Sequence, residues 1–286
     1  MAISVTKCDA ALGAEIAFDL SQPIDEPTFG ELENIFHDNI VVFFRDQNLS
    51  NAQHIAFSRR FGELEVHIVK KYLLPGYPEI LLVSNITNEA GENIGLADAG
   101  FTWHSDVSYR KTPSRCSLLY AKEVPHDGNG AVLGDTIFAN CIAAYEALPA
   151  AMKRRLDGLK AIHRYSSRRR VENSPRPNLT AAQLAETPDV AHPIVRTHPY
   201  TGRKAIYVTA GECIGIEGMQ EDEALGLIAE LDSHCVKPEF CYRHRWRAGD
   251  LVMWDNASAM HLAICDYALP QRRLMHRTTV IGGIPF

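Results

Sequence analysis

Apolar residues recur at helical spacing in two early stretches, "IDEPTFGELENIFHDN" (24–39) and "LSNAQHIAFSRRF" (49–61), and the spacing predicts two amphipathic helices. Ser50 stands where an N-cap would open the second, because its hydroxyl can accept a backbone N–H of the first turn. Between them, the unbroken apolar run "IVVFFRD" (40–46) predicts a buried strand, and "EILLVSN" (79–85) predicts another. "ANCIAAYEALPAAMKRRLDGL" (139–159) reads as helix interrupted at Pro149, which ends one helix and starts the next. "EDEALGLIAELDSH" (221–234) is a further amphipathic helix. The last third otherwise alternates short apolar runs with turns. "HPIVRTH", "KAIYVT", "FCYRHRW", "LVMWDN" and "HRTTVIGG" are the predicted strands, with "PYTGR" and "RAGD" as turns. Strands at this spacing predict a mainly β fold with flanking helices, a sandwich or jelly roll.

No internal repeat interrupts this order, so a single domain over 1–286 is the simplest organisation. One stretch stands apart. "HRYSSRRRVENSPRPNL" (163–179) is rich in Arg, Ser and Pro and shows no period. It is either a solvated loop or a mobile lid over 163–179 whose arginines meet an anionic ligand.

Composition narrows the class. The 46% hydrophobic and 22% charged content is that of a globular protein, and a formal charge of −6 argues against a general nucleic-acid binder. No apolar stretch reaches membrane-spanning length, and the N-terminus lacks the basic start and apolar block of a secretory signal. The seven cysteines are scattered without a C-x-x-C, as expected of reduced thiols in a cytoplasmic protein.

Candidate chemistry begins at "TWHSDVSYR" (102–110). If this run is a strand, His104 and Asp106 point to the same side, an imidazole beside a carboxylate. They are either a hydrogen-bonded pair or two ligands of a 2-His-1-carboxylate metal site. His261, just beyond the strand in "GDLVMWDNASAMH", is the candidate third ligand. With twelve histidines in the chain, that triplet alone is weak, and a lone histidine is more often a surface or hydrogen-bonding residue.

The surrounding blocks carry more. "WHSDVSY", "GDTIFAN", "HPIVRTHPYTGRKAIYV", "GDLVMWDN" and "HLAICDYALPQRRLMHRTTVIG" together resemble the TauD/TfdA family of taurine and phenoxyacetate dioxygenases, in order and over nearly the whole chain. The resemblance implies a double-stranded β-helix (cupin-like jelly roll) and an enzyme that uses Fe(II), 2-oxoglutarate and O2. Such an enzyme hydroxylates a small organic anion, a sulfonate or carboxylate, and releases succinate and CO2. His104, Asp106 and His261 match the iron ligands. Arg273 matches the arginine on the distal carboxylate of 2-oxoglutarate, and Thr136 the threonine on the same carboxylate. One extra residue after His261, with Ala268 the candidate, leaves Arg272 as competitor to Arg273. Strand alternation favours Arg273, which shares a face with Arg277, four residues on. Arg277 and His67 match substrate contacts.

Departures begin near the substrate. Lys70, expected as a further substrate contact that adds positive charge, stands where the taurine enzyme has a tyrosine, and Gly100 lies near the place of its taurine-seating asparagine. Both changes predict a substrate bulkier than taurine, without a positive group at that end. Trp103 and Trp254, which flank the ligand-bearing segments, are expected to pack in the core. A homo-oligomer, dimer or tetramer, is expected. Two other classes use similar residues: a metal-dependent hydrolase with a metal-bound water, and a non-catalytic anion-binding jelly roll.

Overall fold

The computed structural model describes residues 3–165 and 180–286. In chain order the first half comprises β1 (Ser4–Lys7), β2 (Ala14–Ala17), α1 (Glu26–Asn39), β3 (Val41–Phe44), α2 (Asn51–Arg59), β4 (Leu73–Leu74), β5 (Tyr77–Ser84), β6 (Ser114–Glu123) and β7 (Thr136–Asn140). Then follow α3 (Cys141–Ala147), α4 (Ala150–Leu156), β8 (Lys160–His163), α5 (Ala181–Ala185), β9 (Val190–Pro193), β10 (Val195–Thr197) and β11 (Lys204–Ile206). The chain closes with β12 (Cys213–Ile216), α6 (Glu221–Cys235), β13 (Cys241–His244), β14 (Leu251–Asp255), β15 (Ala259–Ala263) and β16 (Leu274–Ile281).

Eight strands form the main sheet in the order β1-β2-β3-β14-β6-β16-β5-β4, and three smaller sheets, β13-β7-β15, β12-β8-β9 and β10-β11, complete the β core. The central strands of the main sheet are buried on both faces, so they read as continuous apolar runs rather than alternating ones. Their side chains still part with a period of two. Val41, Phe43, Val252 and Trp254 join one core cluster with the smaller sheets and α6. Val42, Phe44, Leu251 and Met253 join another against α1 and α2. The first cluster is the interior of the jelly roll, and the second glues the two N-terminal helices to its back.

Local signals held where local chemistry decides. Ser50 and Gln53 form a reciprocal capping box at the start of α2, and Asp25 caps α1 by accepting from the Thr28 N–H. Pro149 separates α3 from α4. All seven cysteines are free thiols.

Two expectations need correction. "TWHSDVSYR" is not a strand: His104 makes a single bridge to His261, and residues 106–109 then turn, with Val107 at φ 61. Polar bonding from Asn256 and Ser117 captures this segment where a ladder partner would have continued it. "HPIVRTH" is broken at Ile194 into β9 and β10, which belong to different sheets. Residues 166–179, most of the expected loop or lid, lie outside the described residues.

Candidate metal and cosubstrate site

A two-way backbone bridge creates the site. The His104 N–H donates to the His261 carbonyl at 3.1 Å, and the His261 N–H returns to His104 at 2.8 Å. Residues paired in this way present their side chains together, and the two imidazole centroids lie 4.1 Å apart. Asp106 follows on the turn, with Oδ1 3.6 Å from His104 Nε2 and Oδ2 3.9 Å from His261 Nε2. One ligand atom from each of the three lies within 4.8 Å of the others, and all three side chains are buried. The same-side placement inferred for His104 and Asp106 is therefore present, achieved by a bridge and a turn instead of a pleat.

The surroundings fix the donors. His104 Nδ1 lies 2.8 Å from the Thr102 carbonyl, which assigns the ring proton there and leaves the Nε2 lone pair facing Asp106. Asp106 is held from three directions. Its backbone N–H donates to Asn256 Oδ1 at 3.1 Å, Ser117 Oγ donates to Oδ2 at 2.7 Å, and Arg277 donates to Oδ1 at 2.9 Å. Burial pushes the carboxyl's pKa up, but the Arg277 guanidinium, with His261 and His104, outweighs it and holds the group well below the usual carboxylate range. A carboxylate whose ionised form is favoured and two imidazoles brought together are the donor set of a facial Fe(II) site, so these residues fit such an ion.

A small cavity opens beside His104 and Asp106. Arg277 and His67 line it together with His104 and Asp106. Leu96, Ala99, Val107, Tyr109 and Tyr165 supply apolar wall. Tyr109 and Tyr165 meet edge to face with centroids 4.5 Å apart, just before the undescribed segment begins.

A second polar cluster lies where β7 begins. Thr136 Oγ1 accepts the indole N–H of Trp246 at 3.0 Å. The Arg273 guanidinium lies 5.9 Å from the ring centroids of both Trp246 and Tyr267. Arg273 is only 3% exposed, and its Nε has no hydrogen-bond partner among the described residues. A buried guanidinium left short of acceptors is costly, so it fits an anion that the protein does not itself provide. Gly134, at φ 76, makes room: a Cβ there would stand 3.3 Å from Arg273 Nε and 3.0 Å from the Tyr267 ring. Arg272 is exposed and pairs with Glu123 at 2.9 Å. Along β16, Met275 and Arg277 face the jelly-roll interior, whereas Thr278 bonds to His54 and Ser58 on α2. Arg273 thus shares the interior parity of Arg277, as the alternation implied.

Of the residues expected from sequence, His104, Asp106, His67 and Arg277 line the cavity, His261 joins His104 and Asp106 in the ligand cluster, and Thr136 and Arg273 cluster around Trp246. Lys70 does not join them. It opens a turn of 3-10 helix with its side chain exposed, and it is absent from the cavity lining. Gly100 does line the cavity but leaves no extra room, since a Cβ there would meet Ala263 at 3.2 Å and His104 Cε1 at 3.4 Å. Trp254 packs as expected, its buried ring 4.8 Å from that of His261. Asn256, Ser117, Trp246, Tyr109 and Tyr165 were not singled out. Asn256 sits inside the quoted "LVMWDN" block, but its role depends on Asp106, 150 positions away.

Residues 4–279 match the model of the family described as taurine catabolism dioxygenase TauD, TfdA family. The alpha-ketoglutarate-dependent 2,4-dichlorophenoxyacetate dioxygenase of Cupriavidus pinatubonensis is 36% identical over 273 residues, 92% of each chain. Among solved structures, a taurine dioxygenase from Burkholderia xenovorans has a TM-score of 0.82 at 31% identity, covering 100% of this chain and 91% of that one. AAD-2 in complex with Mn(II) and N-oxalylglycine also has a TM-score of 0.82, at 30% identity, covering 100% of this chain and 99% of its own.

Proposed function

The chain belongs to the TauD/TfdA family, and from that premise we propose how its residues perform the reaction of an Fe(II)- and 2-oxoglutarate-dependent dioxygenase on a small organic anion. The enzyme class excludes the hydrolase and the non-catalytic jelly roll. The iron and cosubstrate supply oxidative decarboxylation of 2-oxoglutarate by O2, placing one oxygen atom in succinate and the other in the substrate's new hydroxyl. Every further task falls to the protein: binding, orientation and exclusion of water.

His104, Asp106 and His261 hold the metal in this reading, with Thr102 and Ser117 fixing donor orientation. Arg273 clamps the distal carboxylate of 2-oxoglutarate in a pocket that Trp246 and Tyr267 keep dry, and Thr136 adds a hydroxyl. Arg277 and His67 receive the substrate's anionic group. The apolar wall carries the rest of the argument. With Leu96, Ala99, Val107, Tyr109 and Tyr165 facing the triad, the substrate's other end is apolar and carries no ammonium. A substrate bulkier than taurine follows from this wall, not from Lys70 or Gly100. The relative acting on 2,4-dichlorophenoxyacetate has a substrate of that kind, an anion with an aryl tail.

The reading also includes a single domain over 1–286, a cytoplasmic location and a homo-oligomer, dimer or tetramer. Among the described residues no helix is long and apolar enough to cross a membrane. Succinate formation across a panel of taurine, uncharged-tail sulfonates and aryloxyacetates is the test. The highest kcat/KM is expected for an aryloxy or alkyl anion, and taurine as best substrate overturns the reading.

A further inference from the structure

On the far side of Trp246 the sequence "RHRWR" (243–247) alternates exposed and buried positions. Arg243, Arg245 and Arg247 are exposed, while His244 and Trp246 are 0% exposed. β13 ends at His244, but the alternation of burial runs on through 247, so the three arginines lie on one exposed side where the chain leaves the edge of the β13-β7-β15 sheet. Arg45, from the loop after β3, joins them around an open depression of about 1100 Å³. Two of the four arginines are matched: Arg243 pairs with Asp135 at 2.6 Å, and Arg45 pairs with the buried Asp250. Arg245 and Arg247 have no ion-pair partner among the described residues. Within the same depression, Arg45 Nε and Asp135 Oδ1 are buried without hydrogen-bond partners among the described residues.

Like charges gathered in a concavity of a chain whose net charge is −6 need a reason, because self-repulsion opposes the arrangement. We propose that this depression is an anion site that takes a phosphate group, free or as a monoester. Guanidinium forks bind a phosphate's oxygens in pairs, and a dianion matches the two arginines left without counter-charge. The site is separate from the cosubstrate pocket, since Trp246 fills the wall between them and spends its N–H on Thr136.

Calorimetric titration of the full chain with inorganic phosphate and with glycerol 3-phosphate tests this, with chloride at matched ionic strength as control. The R245Q/R247Q variant leaves the catalytic arginines untouched, so its difference from the parent reads this depression alone. Saturable phosphate binding is expected, weakened roughly tenfold or more in the variant, since each lost contact is a charge-assisted one. Tighter glycerol 3-phosphate assigns the site to an ester, and equal or weaker binding assigns it to free phosphate. Binding heat that chloride reproduces, or that the variant retains in full, overturns the proposal.

Discussion

The side-chain carbonyl of Asn256 accepts the backbone N–H of Asp106 at 3.1 Å, joining positions 150 residues apart. The same side chain takes the Trp254 indole N–H at 3.1 Å and donates to Ser114 and Ser117 at 2.9 and 3.1 Å. Asn256 therefore braces the turn that aims the proposed carboxylate ligand. Asn256→Ala is expected to weaken Fe(II) binding by about tenfold to a hundredfold, the usual cost of losing an outer support. Metal titration monitored beside circular dichroism checks this, and an intact fold with unchanged affinity counts against the bracing role.

Asp106→Ala removes the proposed anionic ligand and strands Arg277 in a buried position. Iron binding and turnover should both collapse, and thermal stability should fall, because an unpaired buried charge is strongly unfavourable. Near-normal iron content in the purified variant would show that the metal is held elsewhere.

Arg273→Ala should raise KM for 2-oxoglutarate by roughly 10- to 150-fold, the equivalent of about 1.5–3 kcal/mol for a charge-assisted contact. Arg272 pairs with Glu123 at the surface, so Arg272→Ala should leave that KM within about twofold. A larger effect at Arg272 would place the cosubstrate clamp one residue earlier.

Lys70 is exposed and Arg277 faces the cavity. Lys70→Ala should leave KM for the primary substrate within about twofold, as surface changes usually do. Arg277→Lys should raise it by about tenfold, because an ammonium keeps the charge beside Asp106 but loses the fork. The reverse order of effects would reinstate Lys70 as a substrate contact.

Stability should fall on mild acidification. Burial pushes His54 down to about 3 and His163 down to about 4, so both remain neutral in the folded protein while the unfolded chain takes up protons below about 6.5. The unfolded state then binds more protons, and stability present above pH 6.5 is lost as pH falls toward 4. The slope is about 1.4 kcal/mol per unit for each histidine. Urea denaturation between pH 7 and 4.5 should show it, and His54→Gln should flatten the curve. An unchanged slope in that variant would assign the acid sensitivity to other groups.

Much of this protein was legible in one dimension because the forces involved are local or periodic. The N-cap at Ser50, the break at Pro149 and the apolar runs of β3, β5 and β14 depend on neighbours in sequence, where propensity and pattern act directly. The family was legible too, because its motifs lie in short ordered blocks, and the residues proposed here for metal and cosubstrate stand in those blocks. The residue parity that favoured Arg273 over Arg272 is likewise a property of any strand. What the sequence did not contain was partnership. "TWHSDVSYR" has strand-forming residues, yet a single bridge to His261 and the bonds from Asn256 and Ser117 outweigh that preference and turn the chain at Asp106. The family resemblance places Lys70 and Gly100 near the substrate. Tertiary packing turns the lysine to solvent, and it keeps the glycine on the cavity lining but too close to Ala263 and His104 to leave extra room. Side-chain direction and close approach between distant segments are set by the assembled core, so the apolar wall of Tyr109, Tyr165 and Leu96 exists only once the fold has closed.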